Sequence, residues 1–285
     1  MQKTSEWLMS FGSGTGRSPA SRVPGTNPCI RISITGGKGG VGKTSVALRM
    51  AHELGGLGHR VLLIDCDTNL SNTAIKLGLP LGDTFFKLVS GERSFEECVV
   101  RRDSFDLLPA CNGSLELFDG KLALDEIIID VVSAHEDEYD YVLLDCPAGV
   151  DRASLNLNAW SDHRVVVVTP DKSSITDSYS LVKILASRYG IRENHLLVNM
   201  VQNERQFQKV VMTLSETIEN FLGCRTHVLG GIAKLDVAAE GVDTFFLSDA
   251  GTEWHKNFFK AVRPLAEKRV LARTKLSAAR EHEVH

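Results

Sequence analysis

Gly37-Lys38-Gly39-Gly40-Val41-Gly42-Lys43-Thr44 is the stretch of this chain best equipped for chemistry. Glycines let a loop curl until its backbone N–H groups point at one anion, and a helix starting just beyond it adds partial positive charge. Gly37, Gly42, Lys43 and Thr44 satisfy the spacing GxxxxGK[ST]. In that pattern the lysine reaches the β- and γ-phosphates of a nucleoside triphosphate and the hydroxyl meets Mg²⁺. The phosphate-binding set is therefore Gly37 through Thr44, with Ser45 next in line. Two carboxylates complete the chemistry. Asp65 closes the apolar run Val61-Leu62-Leu63-Ile64 and Asp145 closes Tyr141-Val142-Leu143-Leu144. A carboxylate at a strand end can hold Mg²⁺ through its water shell, so Thr44, Asp65 and Asp145 form the candidate metal set. Asp67, two residues beyond Asp65, is the candidate to orient or activate an attacking water, a step in which positioning contributes more than covalent chemistry. One aspartate at a strand end is an ordinary cap or turn; three motifs in this order are not.

These residues need elements to carry them. From Ile30 onward short β-branched runs alternate with longer amphipathic stretches, the signature of βαβ units and a parallel sheet. The strand candidates are 30–35, 61–65, 105–109, 141–145, 164–169, 195–199 and 228–232, and the helical patterns include 45–57, 122–135, 175–188 and 206–222. Apolar strands covered by helices on both faces imply an α/β fold with a doubly wound, mainly parallel sheet. The glycine loop falls directly after one strand and before one helix, which a chance glycine string would not do.

The 285 residues, 43% of them hydrophobic, suffice for one substantial core. The reading is an N-terminal arm over 1–28, one domain over 29–268 and a tail over 269–285. The arm is rich in Gly, Ser, Pro and Thr, too polar to offset chain entropy; its one adhesive piece is Trp7, Leu8, Met9 and Phe11. A net charge of −4 provides no global field for a polyanion, which places nucleic acid low among the partners. The six cysteines, Cys29, Cys66, Cys98, Cys111, Cys146 and Cys224, form no CxxC pair and fit reduced, structural thiols. No run is apolar enough to span a bilayer, and the first residues lack a secretion signal, so the expected location is cytoplasmic, at most peripheral at the inner face of the membrane.

Lys38 sharpens the assignment. Lys38 through Thr44 match KGGxGK[ST], and the chain resembles the deviant Walker A ATPases of the MinD/FlhG/ParA family. The resemblance implies a P-loop fold, ATP and Mg²⁺ as cofactors, and an ATP-dependent homodimer in which Lys38 reaches the partner's nucleotide. It makes Asp65-Cys66-Asp67 switch I, Asp145 the Walker B carboxylate and Pro147-Ala148-Gly149 switch II, with a backbone N–H that senses the γ-phosphate. Asn199, after the strand at 195–198, takes the place of the family's adenine-contacting asparagine. Within the family, Thr169-Pro170-Asp171-Lys172-Ser173-Ser174-Ile175-Thr176-Asp177-Ser178-Tyr179 is similar to the TPEPTSITDAY stretch of the FlhG (FleN) branch, which sets flagellar number and placement. Phe221-Leu222-Gly223, Val228-Leu229-Gly230 and Gly149-Val150-Asp151-Arg152 are similar to the same branch, and the likeness runs from residue 30 to 268.

The chain also departs from that pattern. Residues 1–28 lack the DQAxxLR-like motif that stimulates the FlhF GTPase, which leaves an FlhF-like GTPase or another flagellar or polar protein as alternative partners. Asn69 stands where relatives often carry Gly, and Ile232-Ala233-Lys234-Leu235-Asp236 lacks a proline near the base. From Trp254 apolar and basic residues mix, and Pro264 is expected to interrupt the helix. Trp254 to Leu265 fits a last core helix and 265–280 fits an amphipathic segment for an anionic membrane; both readings stand at this point. A ParA-like role in partitioning DNA or cargo shares every nucleotide motif and is the alternative function; an iron–sulfur scaffold would need a C-terminal CxxC, which is absent.

Overall fold

The structure, a computed structural model, describes residues 28–67, 72–80, 82–110, 123–235, 245–248 and 251–266. The arm before Pro28, the tail over 269–285, Asn69 and Cys111 lie outside the described residues.

β1 (Ile30–Thr35) runs into the glycine loop and α1 (Lys43–Gly56), and β2 (Val61–Asp65) follows. Three short helices, α2 (Asn72–Lys76), α3 (Thr84–Val89) and α4 (Phe95–Cys98), lead to β3 (Val100–Arg101) and β4 (Asp106–Leu108). Helix and strand then alternate: α5 (Leu124–His135), β5 (Tyr141–Asp145), α6 (Arg152–Trp160), β6 (His163–Val168), α7 (Lys172–Tyr189), β7 (Glu193–Val201), α8 (Glu204–Leu222) and β8 (Arg225–Ala233). A last helix, α9, covers 253–266.

The eight strands lie in the order β3-β4-β2-β5-β1-β6-β7-β8, all parallel except the β3–β4 pair. This is the doubly wound sheet expected, with one strand, β3, that its two residues could not announce. The chain winds to one side of β1 through β2 and to the other through β6, and the crevice at the carboxyl ends of the strands at such a point is where ligands bind. Register sets the site: Asp145 on β5 is level with Asp65 on β2 and with Ile34 on β1.

One face of the sheet presents Ile32, Ile34, Leu63, Leu143 and Val167 to α1 and α9. On the other face Leu62, Ile64, Val142 and Leu144 pack with α5, while Val166, Val168, Leu196 and Val198 pack with α7 and α8. Trp254, Phe258, Val262 and Leu265 of α9 are buried in the first of these clusters, and full burial of each large apolar side chain stabilises by about 1.5–3 kcal/mol. Trp254 to Leu265 is therefore a core helix. The expected break at Pro264 is corrected: α9 continues through it to residue 266, because Leu265 and Ala266 are buried while Pro264 faces solvent, where water can replace the lost hydrogen bond. The Tyr141 hydroxyl donates to the Ala266 carbonyl at 3.2 Å and ties this end down.

Candidate functional site

The glycine loop spans β1 and α1 as predicted, and its close contacts explain two of its glycines. A Cβ on Gly37 would overlap the backbone carbonyl of Asp177 in α7. Gly42 caps α1 in the left-handed region at φ 91°, and a Cβ there would come to 2.5 Å from the Asn199 amide nitrogen. Only glycine meets both demands at position 42. Gly39 and Gly40 have open space around them, Val41 is buried, and Ser45 is buried in the first turn of α1.

Lys43, at the start of α1, lies within the field of Asp145 and Asp67. Burial lowers its pKa, and the attraction of Asp145 and Asp67 opposes that shift. Asp145 is 3% exposed, its Oδ1 is buried without a hydrogen-bond partner, and its pKa is pushed up to about 7. Burial is the main cause and the negative charge of Asp65 adds to it; a hydrogen bond from the Thr44 hydroxyl and the charge of Lys43 pull the other way. A buried carboxylate with an unsatisfied oxygen beside a threonine hydroxyl suits a hydrated divalent cation. Thr44 and Asp145 thus fit the Mg²⁺ that the loop implies.

Asp65, level with Asp145, is occupied differently. Its Oδ1 accepts from the Asp67 amide at 3.1 Å and its Oδ2 from the Thr73 amide at 3.3 Å. It holds the backbone at Asp67 and at Thr73, so any contact with a cation is shared with this backbone role. Asp67 is half-buried within the field of Lys43 and Asp145. The residues after each aspartate also lie side by side: Cys66 and Cys146, eighty positions apart, are both buried, and the Cys66 thiol donates to the Ile64 carbonyl at 3.6 Å. Together with Cys29, Cys98 and Cys224 they form no disulfide among the described residues.

In the segment that the resemblance makes switch II, the Gly149 amide, one of its backbone N–H groups, donates to the Gly36 carbonyl at 3.2 Å and is closed onto the loop. Asn199 is 4% exposed; its Nδ2 donates to the Val41 carbonyl at 2.9 Å and its Oδ1 accepts from the Met200 amide at 2.9 Å. The side chain expected to read the base also braces the loop, a second role without a signal in its sequence position. Met200 itself takes a φ of 58°, an unusual conformation for a side chain of its size.

Lys38 stands apart from the other lysine. Its Nζ is 3.0 Å from Asp171 Oδ1 and 2.7 Å from Ser173 Oγ at the start of α7. Asp171 caps that helix by accepting from the Ser174 amide at 2.9 Å, and also accepts from Thr169 Oγ1 and Ser173 Oγ, both at 2.6 Å. These hydroxyls, first Ser173 and then Thr169, hold its carboxyl well below the usual range. Asp171-x-x-Ser174 is a legible helix start; that it receives Lys38 was not legible.

The sequence profile of a family described as an AAA domain matches residues 30–196. The septum site-determining protein MinD of Bacillus subtilis is 31% identical over 195 residues, 66% of this chain and 71% of that protein. The antiactivator FleN of Pseudomonas aeruginosa is 28% identical over 207 residues, covering 72% and 74%. The flagellum site-determining protein YlxH of Helicobacter pylori is 30% identical over 207 residues, covering 70% and 68%. Among solved structures, the MinC:MinD cell division complex of Aquifex aeolicus superposes with a TM-score of 0.64 at 26% identity, covering 84% of this chain and 96% of that one. MinD with Mg-ADP from Pyrococcus horikoshii superposes with a TM-score of 0.67 at 20% identity, covering 83% and 96%, a likeness of fold.

Proposed function

The chain belongs to the MinD family of P-loop ATPases, and from that premise we propose that it is an ATP-driven dimerising switch that determines the number or placement of flagella or of another polar structure. The observation that carries the nucleotide chemistry is the convergence of Lys43, Thr44, Asp65, Asp67 and Asp145 at one end of β1, β2 and β5. The names of FleN and YlxH and the segment from Thr169 to Tyr179 support the flagellar branch.

In this reading the loop amides from Gly37 to Thr44 and the N-terminus of α1 hold the phosphates, and Lys43 bridges the β- and γ-phosphates. Thr44, with Asp145 and Asp65 through water, would hold Mg²⁺, which would supply charge neutralisation at those phosphates. Asp67 orients the attacking water in line with the γ-phosphate. Asn199 meets the adenine while its other contacts brace Val41. Lys38 leaves Asp171 and Ser173 and turns to the nucleotide of a second copy, so that ATP joins two subunits. No described helix is long and apolar enough to cross a membrane; attachment to an anionic surface falls to the tail over 269–285, two copies of which gain avidity in the dimer. An FlhF-like GTPase or another polar protein then reads the ATP-bound dimer.

Molar mass measured in solution tests the switch. Asp67→Ala should bind ATP and accumulate as a dimer with Mg-ATP but not with Mg-ADP, and Lys38→Ala should bind ATP and stay monomeric. A monomeric Asp67→Ala protein in saturating Mg-ATP would sink the dimer reading. Co-sedimentation of Asp67→Ala with anionic liposomes, with and without residues 269–285, tests the membrane arm; pelleting that ignores nucleotide or tail argues against it.

A further inference from the structure

The central strand β1 has two chemically opposite faces. Ile30, Ile32 and Ile34 point into the apolar cluster shared with α1. Arg31, Ser33 and Thr35 point the other way, where α6 lies, and α6 with its flanking residues Gly149 and Asp162 meets this strand and the glycine after it with polar groups at three heights.

At the bottom, Arg31 grips Asp162 with Nη2 at 2.9 Å, Nε at 3.0 Å and its amide at 2.9 Å, and its guanidinium sits 4.4 Å above the Trp160 ring. In the middle, Ser33 Oγ donates to Asn158 Oδ1 at 2.9 Å, while Asn158 Nδ2 donates to Thr35 Oγ1 at 3.2 Å and to the Ser154 carbonyl at 2.8 Å. At the top, the Gly149 amide donates to the Gly36 carbonyl. Ser33, Thr35, Ser154 and Asn158 are all 0% exposed. The apolar residues of α6 go sideways instead, Leu155 to the α7–α8 cluster and Leu157 to the α5 cluster.

Such a seam has a mechanical consequence. Apolar contacts are non-directional and tolerate small sliding, whereas hydrogen bonds weaken steeply once distance or angle departs from a narrow range. The asparagine therefore fixes the register of α6 on β1. Thr35 is followed at once by Gly36 and Gly37, where the phosphate loop starts, and α6 begins three residues after Gly149 in switch II.

We propose that Asn158 is a positioning residue for ATP hydrolysis, coupling the switch II helix to the strand that carries the phosphate loop through Ser33 and Thr35. The proposal rests on the ATPase reading above. When the γ-phosphate draws the Gly149 amide away from Gly36, α6 must move; the Asn158 contacts make that motion bear on β1 and the loop instead of being lost in sliding.

The test replaces the whole middle level of the seam rather than one partner. Removing a single hydrogen-bonding group leaves others buried and unpaired, but replacing all of them with apolar groups of similar shape is nearly neutral or stabilising. The triple variant Ser33→Ala, Thr35→Val, Asn158→Leu should fold with a melting temperature at or above that of the unaltered protein. It should bind a fluorescent ATP analogue with unchanged affinity and show an unchanged KM, yet lose about 10-fold or more in kcat, since small misplacements at a reacting centre cost that much. The difference in amide exchange over residues 147–155 between the ATP and ADP states should collapse. Restoring Ser33 and Asn158 while keeping Thr35→Val should bring turnover back to within about 3-fold of the unaltered protein. If the triple variant does not fold, Thr35→Val alone serves, with a loss of about 3-fold in kcat at constant KM. A folded variant with full turnover and a full exchange difference overturns the proposal. An unaltered protein that fails to hydrolyse ATP overturns the ATPase reading and this inference together, so the two failures are distinguishable.

Discussion

Asp65 and Asp145 stand level on neighbouring strands, and a motif reader would give them the same task. The structure treats them in opposite ways. Asp65 accepts from the amides of Asp67 and Thr73, so both of its oxygens already hold backbone. Asp145 keeps one buried oxygen without a protein partner, beside Asp65, which repels it, and Lys43, which attracts it. The first carboxylate stabilises the fold it belongs to. The second strains that fold and is relieved by a cation or a proton, a common stability cost at a working site.

The largest expected effect removes the counter-charge near Asp145. Lys43→Ala should weaken nucleotide binding by about 100-fold or more, about 2.7 kcal/mol, in a fluorescent-nucleotide titration. Binding within a few-fold of the unaltered protein would mean that Lys43 balances Asp145 and does not hold phosphate.

Next come the two carboxylates themselves, whose neutral variants should move stability in opposite directions. The raised pKa of Asp145 means that the folded chain binds this proton more tightly than the unfolded chain. The group therefore costs nothing at acid pH, costs more as pH rises from about 4 to about 7, and costs its full amount above that. Asp145→Asn should raise the nucleotide-free melting temperature at pH 8, by a stability gain on the order of a few kcal/mol, and leave it unchanged near pH 4. The same substitution should remove about 100-fold or more of ATP turnover through the lost cation contact. Asp65→Asn should instead destabilise by about 1.5–3 kcal/mol, because an amide can replace only part of a charge-assisted contact with two backbone N–H groups. Denaturant titrations of both variants at pH 8 decide this; equal signs would dissolve the contrast between them.

The smallest effect concerns the other lysine. Asp171→Ser keeps an N-cap hydroxyl on α7 but removes the charge that holds Lys38. Their side chains are 42% and 46% exposed, so the pair contributes at most about 1 kcal/mol. The ATP concentration for half-maximal dimerisation of the Asp67→Ala background should fall by up to about 5-fold, read as molar mass against nucleotide. A rise instead would show that Asp171 helps the assembled state.

How much of this could be read from the chain alone depends on how local each demand is. The glycine loop was legible because the left-handed turn at Gly42 and the helix start at Lys43 are local backbone requirements written in consecutive residues. The strands carrying Asp65 and Asp145 were legible because strands covered on both faces read as unbroken apolar runs, and their ends matched the expected positions. The two-residue β3 was not, since too few residues carry its pattern, and the helix through Pro264 was not, because distant core packing outweighs a local breaker.

Nor could sequence spacing distinguish Asp65 from Asp145, join Lys38 to Asp171 across 133 positions, or bring Asn158 to Ser33 across 125. Those outcomes depend on which polar group meets which inside a folded interior. By itself the sequence determined the phosphate loop, the order of strands and helices along the chain, and the residue types at the strand ends, because each follows from neighbours along the backbone. Only the tertiary structure decided which carboxylate is satisfied by backbone amides, which keeps a buried oxygen without a hydrogen-bond partner, and which buried side-chain amide ties α6 to β1. Burial removes water as a universal partner, so a polar group's role is set by whatever the fold places within hydrogen-bonding distance.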